Sequence, residues 1–260
     1  MSRVFFSVIS HNHCDLIKRI SSLGKLCGQL NFNVIVKSNT ENDDFSSFQS
    51  AKNFHWLNSN YGLGFGANNN YVFKFCRDNL GMTEDDFFIV LNPDVEIEVD
   101  AIVTLISNMT TDDCVFASIN LFKDPSFSLH DNSIRRFPNL FQFVKSFLGL
   151  GNDAVVNKSK IVHPCHVDWA AGSFLAFTAG HYQGLGGFDE HYFMYCEDID
   201  ICYRSHQVLT PLTFYPHIRA IHYARHENRK IFSVHFVWHL TSVFRFLFSK
   251  LGFTNSVTSI

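Results

Sequence analysis

Strand-like apolar runs alternate with helix-like patterns through the first 122 residues, and this alternation restricts the fold more than any other feature of the chain. Residues 4–10, 33–38, 54–58, 87–91 and 114–122 read as strands, and 14–27, 66–79 and 100–109 read as helices. Strands buried on both faces need helices to cover them. The pattern therefore predicts an α/β fold with a mainly parallel central sheet flanked by helices. In such sheets ligands bind beyond the carboxyl ends of the strands. Ser10-His11-Asn12, Lys37-Ser38-Asn39 and Asn92-Pro93-Asp94 all stand at such ends.

The second half is less regular. Residues 123–166 mix polar and apolar positions and contain Arg135-Arg136-Phe137-Pro138. A strand-like stretch at 167–178, a short helix at 198–208 and a strand at 212–222 follow. Residues 231–251 read as one helix rich in Phe, with His, Arg and Lys interspersed. There is no internal repeat and no low-complexity linker.

With 260 residues, 46% of them hydrophobic, the chain is long enough for a large core. Its net charge of -3 argues against nucleic acid as a partner. The Cys count of 7, odd and without a Cys-x-x-Cys pair, fits a reducing compartment better than a disulfide framework. The N-terminus enters a core strand at once and lacks the features of a signal peptide. No apolar run is long enough to predict a transmembrane helix.

Five motifs carry candidate chemistry. Pro93 ends the strand at 87–91 and leaves Asp94 at its exit, where a cation bridging two phosphates can meet a carboxylate. Asn-Pro-Asp is equally good turn chemistry. Glu197-Asp198-Ile199-Asp200 follows an aromatic run at a helix start. Capping explains one acid there, and aromatic surroundings that raise proton affinity suit a general base. Asp200 and Arg204 are spaced for a surface ion pair. The loop Asn60-Tyr61-Gly62-Leu63-Gly64 leads into a helix carrying Asn68 and Asn69, as a nucleotide-facing loop would. Gly62, Gly64 and Ala67 also fit a dinucleotide fingerprint, though at the third strand rather than the first. Ala170-Ala171-Gly172-Ser173 permits close backbone approach or marks a bulge. His222 ends an apolar strand and is placed to share a metal with Asp94. His163-Pro164-Cys165-His166 lacks a second ligand pair for zinc.

These pieces, in this order, resemble the family 2 glycosyltransferases, inverting enzymes of GT-A fold. The stretches that carry the resemblance are Gly64-Phe65-Gly66-Ala67-Asn68-Asn69, Leu91-Asn92-Pro93-Asp94, Ala171-Gly172-Ser173-Phe174, Gly187-Phe188-Asp189-Glu190 and Tyr192 through Asp200. Ser128-Leu129-His130-Asp131, Arg135-Arg136-Phe137-Pro138 and Ala220 through Arg229 are similar to the bacterial O-antigen rhamnosyltransferases. The resemblance implies a GT-A catalytic domain over 1–230, with a nucleotide-binding half at 1–122 and an acceptor-binding half at 123–230. A C-terminal amphipathic helical tail at 231–260 follows.

It also implies transfer of L-rhamnose from dTDP-L-rhamnose to N-acetylglucosamine on undecaprenyl diphosphate. Asp94 and His222 are then the ligands of Mg2+ or Mn2+, Asp198 is the general base and Glu197 the alternative base. Ser10, Asn12, Ser38, Asn60, Gly64, Asn68, Asn69, Asn92, Asp94 and Gly172 line the nucleotide-sugar site. Asn92 and Ser38 stand where relatives often carry acids. The forked guanidinium groups of Arg135, Arg136, Arg225 and Arg229 suit the lipid diphosphate, with solvated surface charge as the alternative reading. The implied location is peripheral, on the cytoplasmic face of the bacterial inner membrane. The Phe-rich tail either lies on the membrane surface or packs on the catalytic domain. The rivals are transfer of another sugar, an NAD(P)-dependent oxidoreductase, and a noncatalytic nucleotide-sugar binding module.

Overall fold

Val4–Ser10 (β1) is a strand buried almost throughout, and the rest of the molecule is built outward from it. The computed structural model describes residues 2–20, 22–138, 142, 154–224 and 234–260. After β1 come Cys14–Arg19 (α1), Ser22–Cys27 (α2), Phe32–Ser38 (β2), Phe54–Leu57 (β3), Phe65–Leu80 (α3), Phe87–Leu91 (β4), Val95–Glu96 (β5), Val99–Thr111 (α4) and Phe116–Phe122 (β6). Next are Ile134–Arg135 (β7), Cys165–Val167 (β8), Trp169–Ala170 (β9), Phe174–Thr178 (β10), Ala179–Gly184 (α5), Glu197–Gln207 (α6), Leu212–His222 (β11) and Val234–Lys250 (α7).

The main sheet runs β3-β2-β1-β4-β10-β6-β11-β5, with β8 also paired to β11. β3, β2, β1 and β4 are mutually parallel, and β6 is parallel to β11. β10 is antiparallel to both β4 and β6, so all six of those strands share one direction. Side chains alternate across the sheet. Phe6 and Val8 face one core layer with Ile17, Leu26 and Ile102. Phe5 faces the other with Val72, Phe73, Phe88 and Tyr182.

Three expectations need correction. The helix at 14–27 is two helices, because Ile20 is extended with ψ 111°. The break lets the Ser22 hydroxyl accept the Ile97 N–H at 2.9 Å. The stretch at 167–178 is not one strand: β9 pairs with β7 in a separate ribbon, and β10 enters the main sheet. The region at 123–166 contains β7 and the first two residues of β8 among its described residues.

The tail does pack on the domain. Val243 and Phe246 of α7 are buried. Arg245 donates from Nε and Nη2 to Asp189 Oδ2 at 2.8 and 2.6 Å. Beyond the helix, Val257 N–H reaches Asp189 and Ser259 N–H reaches Glu190. No helix among the described residues is long and apolar enough to cross a membrane.

Candidate active site

β4 is wholly buried, and the chain turns at Pro93 into β5, which pairs with the end of β11. His222 is in register with Val95, and Tyr223 N–H donates to Asp94 O at 3.1 Å. This ladder holds His222 Nε2 3.4 Å from Asp94 Oδ1. That is ion-pair range without hydrogen-bond alignment, and Asp94 Oδ1 is buried with no hydrogen-bond partner among the described residues. A buried carboxylate oxygen without a hydrogen bond is an atom that a cation would satisfy. The donors, one carboxylate and one imidazole, suit Mn2+ and, less fully, Mg2+. No group of three or more His, Cys, Asp or Glu among the described residues forms a metal cluster. A cation here would therefore draw most of its ligands from phosphate and water.

His222 Nδ1 is hydrogen-bonded to Asp131 Oδ2. Burial opposes charge on the imidazole, but the Asp131 and Asp94 carboxylates outweigh it and raise its pKa to about 9.

The second acid is placed by a strained turn. Tyr195 and Cys196 both have left-handed backbone, φ 73° and 64°, immediately before α6. Packing holds them there: Phe193 lies on Trp238 of α7 at 4.5 Å and Tyr195 on His239 at 5.1 Å between ring centroids. Asp198 Oδ2 accepts the Gly172 N–H at 3.1 Å, and Oδ1 accepts the Ile199 N–H at 2.9 Å. Next to Gly172, Ser173 O accepts the Asn92 N–H at 3.0 Å. The turn at 171–173 thus touches the loop that carries Asp94 on one side and Asp198 on the other. Burial raises the Asp198 pKa against these two N–H groups and the nearby Arg135 guanidinium.

The neighbouring acids differ from it. Glu197 is buried, its Oε2 has no partner among the described residues, and burial with the Asp198 charge pushes its carboxyl well above the usual range. Asp200 and Arg204 do pair, at 2.7 Å, but not at the surface. Asp200 is buried, and Arg204 also donates to Leu185 O and Gly187 O at 2.6 and 2.8 Å. The pair fixes the loop before α6.

The nucleotide-loop residues split into two groups. Asn12 and Asn60 are exposed at strand ends in left-handed backbone, φ 60° and 54°. Ser10 and Ser38 are fully buried. The Ser10 hydroxyl accepts His13 N–H, and that of Ser38 accepts Trp56 Nε1–H. Asn69 is buried between Ser7 Oγ and Phe65 O, and Asn68 Nδ2 bonds Leu63 O and Gly64 O. Their amide nitrogens bond the helix start from inside, while Asn68 Oδ1 is buried with no hydrogen-bond partner among the described residues. At Gly64 a Cβ would lie 2.6 Å from Phe193 O.

Arg135 sits over the Trp169 ring at 5.4 Å and Arg136 is exposed. Arg225 and Arg229 lie outside the described residues. Sequence reasoning missed three contributors. Asn39 clamps Leu63 through both its N–H and carbonyl. Buried Lys37 donates to Ser38 O and Asn60 O, each at 2.9 Å. Asp131 stood inside a recognised motif without a role.

No family model matches the chain. Over 259 residues it is 37% identical to rhamnosyltransferase WbbL of Escherichia coli strain K12, spanning 97% of this chain and 95% of that one. The chain belongs to the rhamnosyltransferases. It is also 26% identical over 219 residues, 80% of this chain and 71% of the relative, to the N-acetylglucosaminyl-diphospho-decaprenol L-rhamnosyltransferase of Mycobacterium tuberculosis. In structure the rhamnosyltransferase is similar to the mannosyltransferase PcManGT from Pyrobaculum calidifontis in complex with GDP-Man and Mn2+. The TM-score is 0.59 at 11% identity, over 98% of this chain and 66% of that one. S. aureus TarS 1-349 gives 0.55 at 11% identity, over 84% of this chain and 60% of that one. The fold is the GT-A glycosyltransferase fold. The dinucleotide reading of Gly62, Gly64 and Ala67 falls with this membership.

Proposed function

We propose that this rhamnosyltransferase moves L-rhamnose from dTDP-L-rhamnose to N-acetylglucosamine carried on undecaprenyl diphosphate, in O-antigen assembly, with inversion at the anomeric carbon. The acceptor class follows the mycobacterial relative, whose name specifies N-acetylglucosaminyl-diphospho-decaprenol. The observation that carries the mechanism is the turn at 171–173, hydrogen-bonded to Asn92 on one side and Asp198 on the other.

In the proposed reaction an acceptor hydroxyl attacks the anomeric carbon and its proton passes to Asp198. The bond to the dTDP phosphate oxygen breaks as the new glycosidic bond forms. One displacement turns a β-linked donor into an α-rhamnoside. Burial makes Asp198 more basic than an exposed aspartate, and the Gly172 N–H fixes its orientation. When bound, Mg2+ or Mn2+ at Asp94 and His222 supplies positive charge against the leaving diphosphate. Exposed Arg136 has the forked geometry for the acceptor's lipid diphosphate.

The tail supports a lipid-borne acceptor. Val237, Leu240, Phe244, Phe248 and Leu251 are all exposed, at helical steps of three or four. They form an apolar stripe of about 21 Å opposite the packed face. We place this stripe against the cytoplasmic face of the inner membrane. Trp238 of the same helix rests on Phe193, in the loop leading to Asp198.

The test is product formation from dTDP-L-rhamnose and a synthetic lipid-diphosphate N-acetylglucosamine, with and without Mg2+ or Mn2+, beside other nucleotide sugars. Asp198→Asn should lower turnover by about 10²–10⁴-fold while dTDP binding is kept. Turnover near the wild-type level in that variant would refute the base assignment.

A further inference from the structure

We propose that Asp131 is a positioning residue for the ion site: it fixes the His222 ring so that Nε2 is presented beside Asp94. The inference rests on the reading of Asp94 and His222 as the cation ligands. His222 is flanked by carboxylates at both ring nitrogens, with Asp131 Oδ2 hydrogen-bonded to Nδ1 and Asp94 Oδ1 3.4 Å from Nε2. The two contacts are not equivalent. An ionised carboxylate only accepts, so the hydrogen bond to Asp131 requires the proton on Nδ1. Nε2 is then the nitrogen left to give up its proton and bind a metal.

Asp131 is itself held firmly. Its N–H donates to Leu121 O at 2.9 Å, just past the bridge between Phe122 and His130. His130 lies on the Phe122 ring at 4.5 Å between centroids, with Nδ1 3.2 Å from Asn120 Oδ1. Lys158, almost fully buried, donates to the same Leu121 O at 2.7 Å and to Ser133 Oγ at 3.2 Å. The side chains of Asp131 and His222 are only 13% and 14% exposed, which leaves little room for water to replace the carboxylate.

The experiment measures Mn2+ affinity, not turnover, from the free-ion EPR signal at saturating dTDP. The proteins are wild type, Asp131→Ala, Asp131→Asn, His222→Ala and the Asp131→Ala/His222→Ala double variant, each checked by thermal melting. Asp131→Ala should weaken Mn2+ about 10–100-fold. Asp131→Asn, whose amide oxygen still accepts from Nδ1–H, should restore most of that loss. In the His222→Ala background, removal of Asp131 should cost nothing further. A full additional loss in that background, or wild-type affinity in Asp131→Ala, overturns the proposal. Wild-type Mn2+ affinity in His222→Ala would instead overturn the ion-site reading beneath it. A measurement on the unaltered protein guards against an alanine variant that fails to fold. With dTDP and diamagnetic Zn2+ in place of Mn2+, the ¹⁵N spectrum should show His222 protonated at Nδ1 and bare at Nε2. The opposite tautomer overturns the proposal.

Discussion

Gly64→Ala should injure the enzyme through the loop that aims its base. A Cβ at residue 64 would lie 2.6 Å from Phe193 O and 2.8 Å from Phe193 Cα. Both are backbone atoms, so no side-chain rotation relieves the clash and residue 193 must shift. The shift strains or breaks the bond from Phe65 N–H to Phe193 O, 3.0 Å long in the native fold. Overpacking costs about 1–3 kcal/mol and the hydrogen bond about 1, so the loss of stability should be about 2–4 kcal/mol. Phe193 leads into the left-handed pair Tyr195-Cys196, which aims Asp198. A displacement of about 1 Å at the base lowers turnover about 10²-fold. The assay is urea unfolding and steady-state turnover, with Gly24→Ala as control. Residue 24 lies in α2 with open space where its Cβ would be. Alanine there should stabilise by about 0.5–1 kcal/mol and leave turnover alone. Wild-type stability and turnover in Gly64→Ala would show that the Phe193 contact does not position the base.

Three further outcomes are expected. Arg245→Ala leaves the buried Asp189 carboxylate without its guanidinium partner, so urea unfolding should show a loss of about 3–5 kcal/mol, and limited proteolysis should release α7. Phe244→Ser with Phe248→Ser should lower retention on anionic vesicles at least about tenfold while the unfolding midpoint stays nearly fixed, since both rings are exposed; unchanged retention would remove the membrane role. In EDTA, His222 should stabilise the fold fully below about pH 6.5 and lose that contribution as pH rises through about 9, because its folded pKa lies above its unfolded value. The span corresponds to roughly 3 kcal/mol, and His222→Gln should flatten it in unfolding curves from pH 6 to 9.5.

The parallel half of the sheet was legible because buried strands and covering helices leave opposite periodicities in a sequence. The exit at Asp94 was legible because Pro93 stops a strand wherever it stands. The direction of β10 was not: an apolar run looks the same whichever way it enters a sheet. The roles of Asn68 and Asn69 were not legible for a related reason. An amide has the same chemistry toward a nucleotide as toward a backbone carbonyl, and only burial tells the two uses apart. Gly64 shows the same ambiguity, since a glycine that admits a ligand and one that admits Phe193 are identical in sequence. Asp189 with Arg245, and Asp131 with His222, are partners far apart along the chain, so no local pattern announces either pair.

The opposed strand β10 has a consequence for how the enzyme is made. A growing chain finishes β4 at residue 91 and β6 at residue 122, yet the strand that joins them begins only at residue 174. Throughout that interval Phe-Phe-Ile-Val-Leu has a bare rim of amide and carbonyl groups, the sort of rim that recruits a second chain. Translation that stalls before the bridging strand emerges leaves a fragment suited to clumping rather than to waiting.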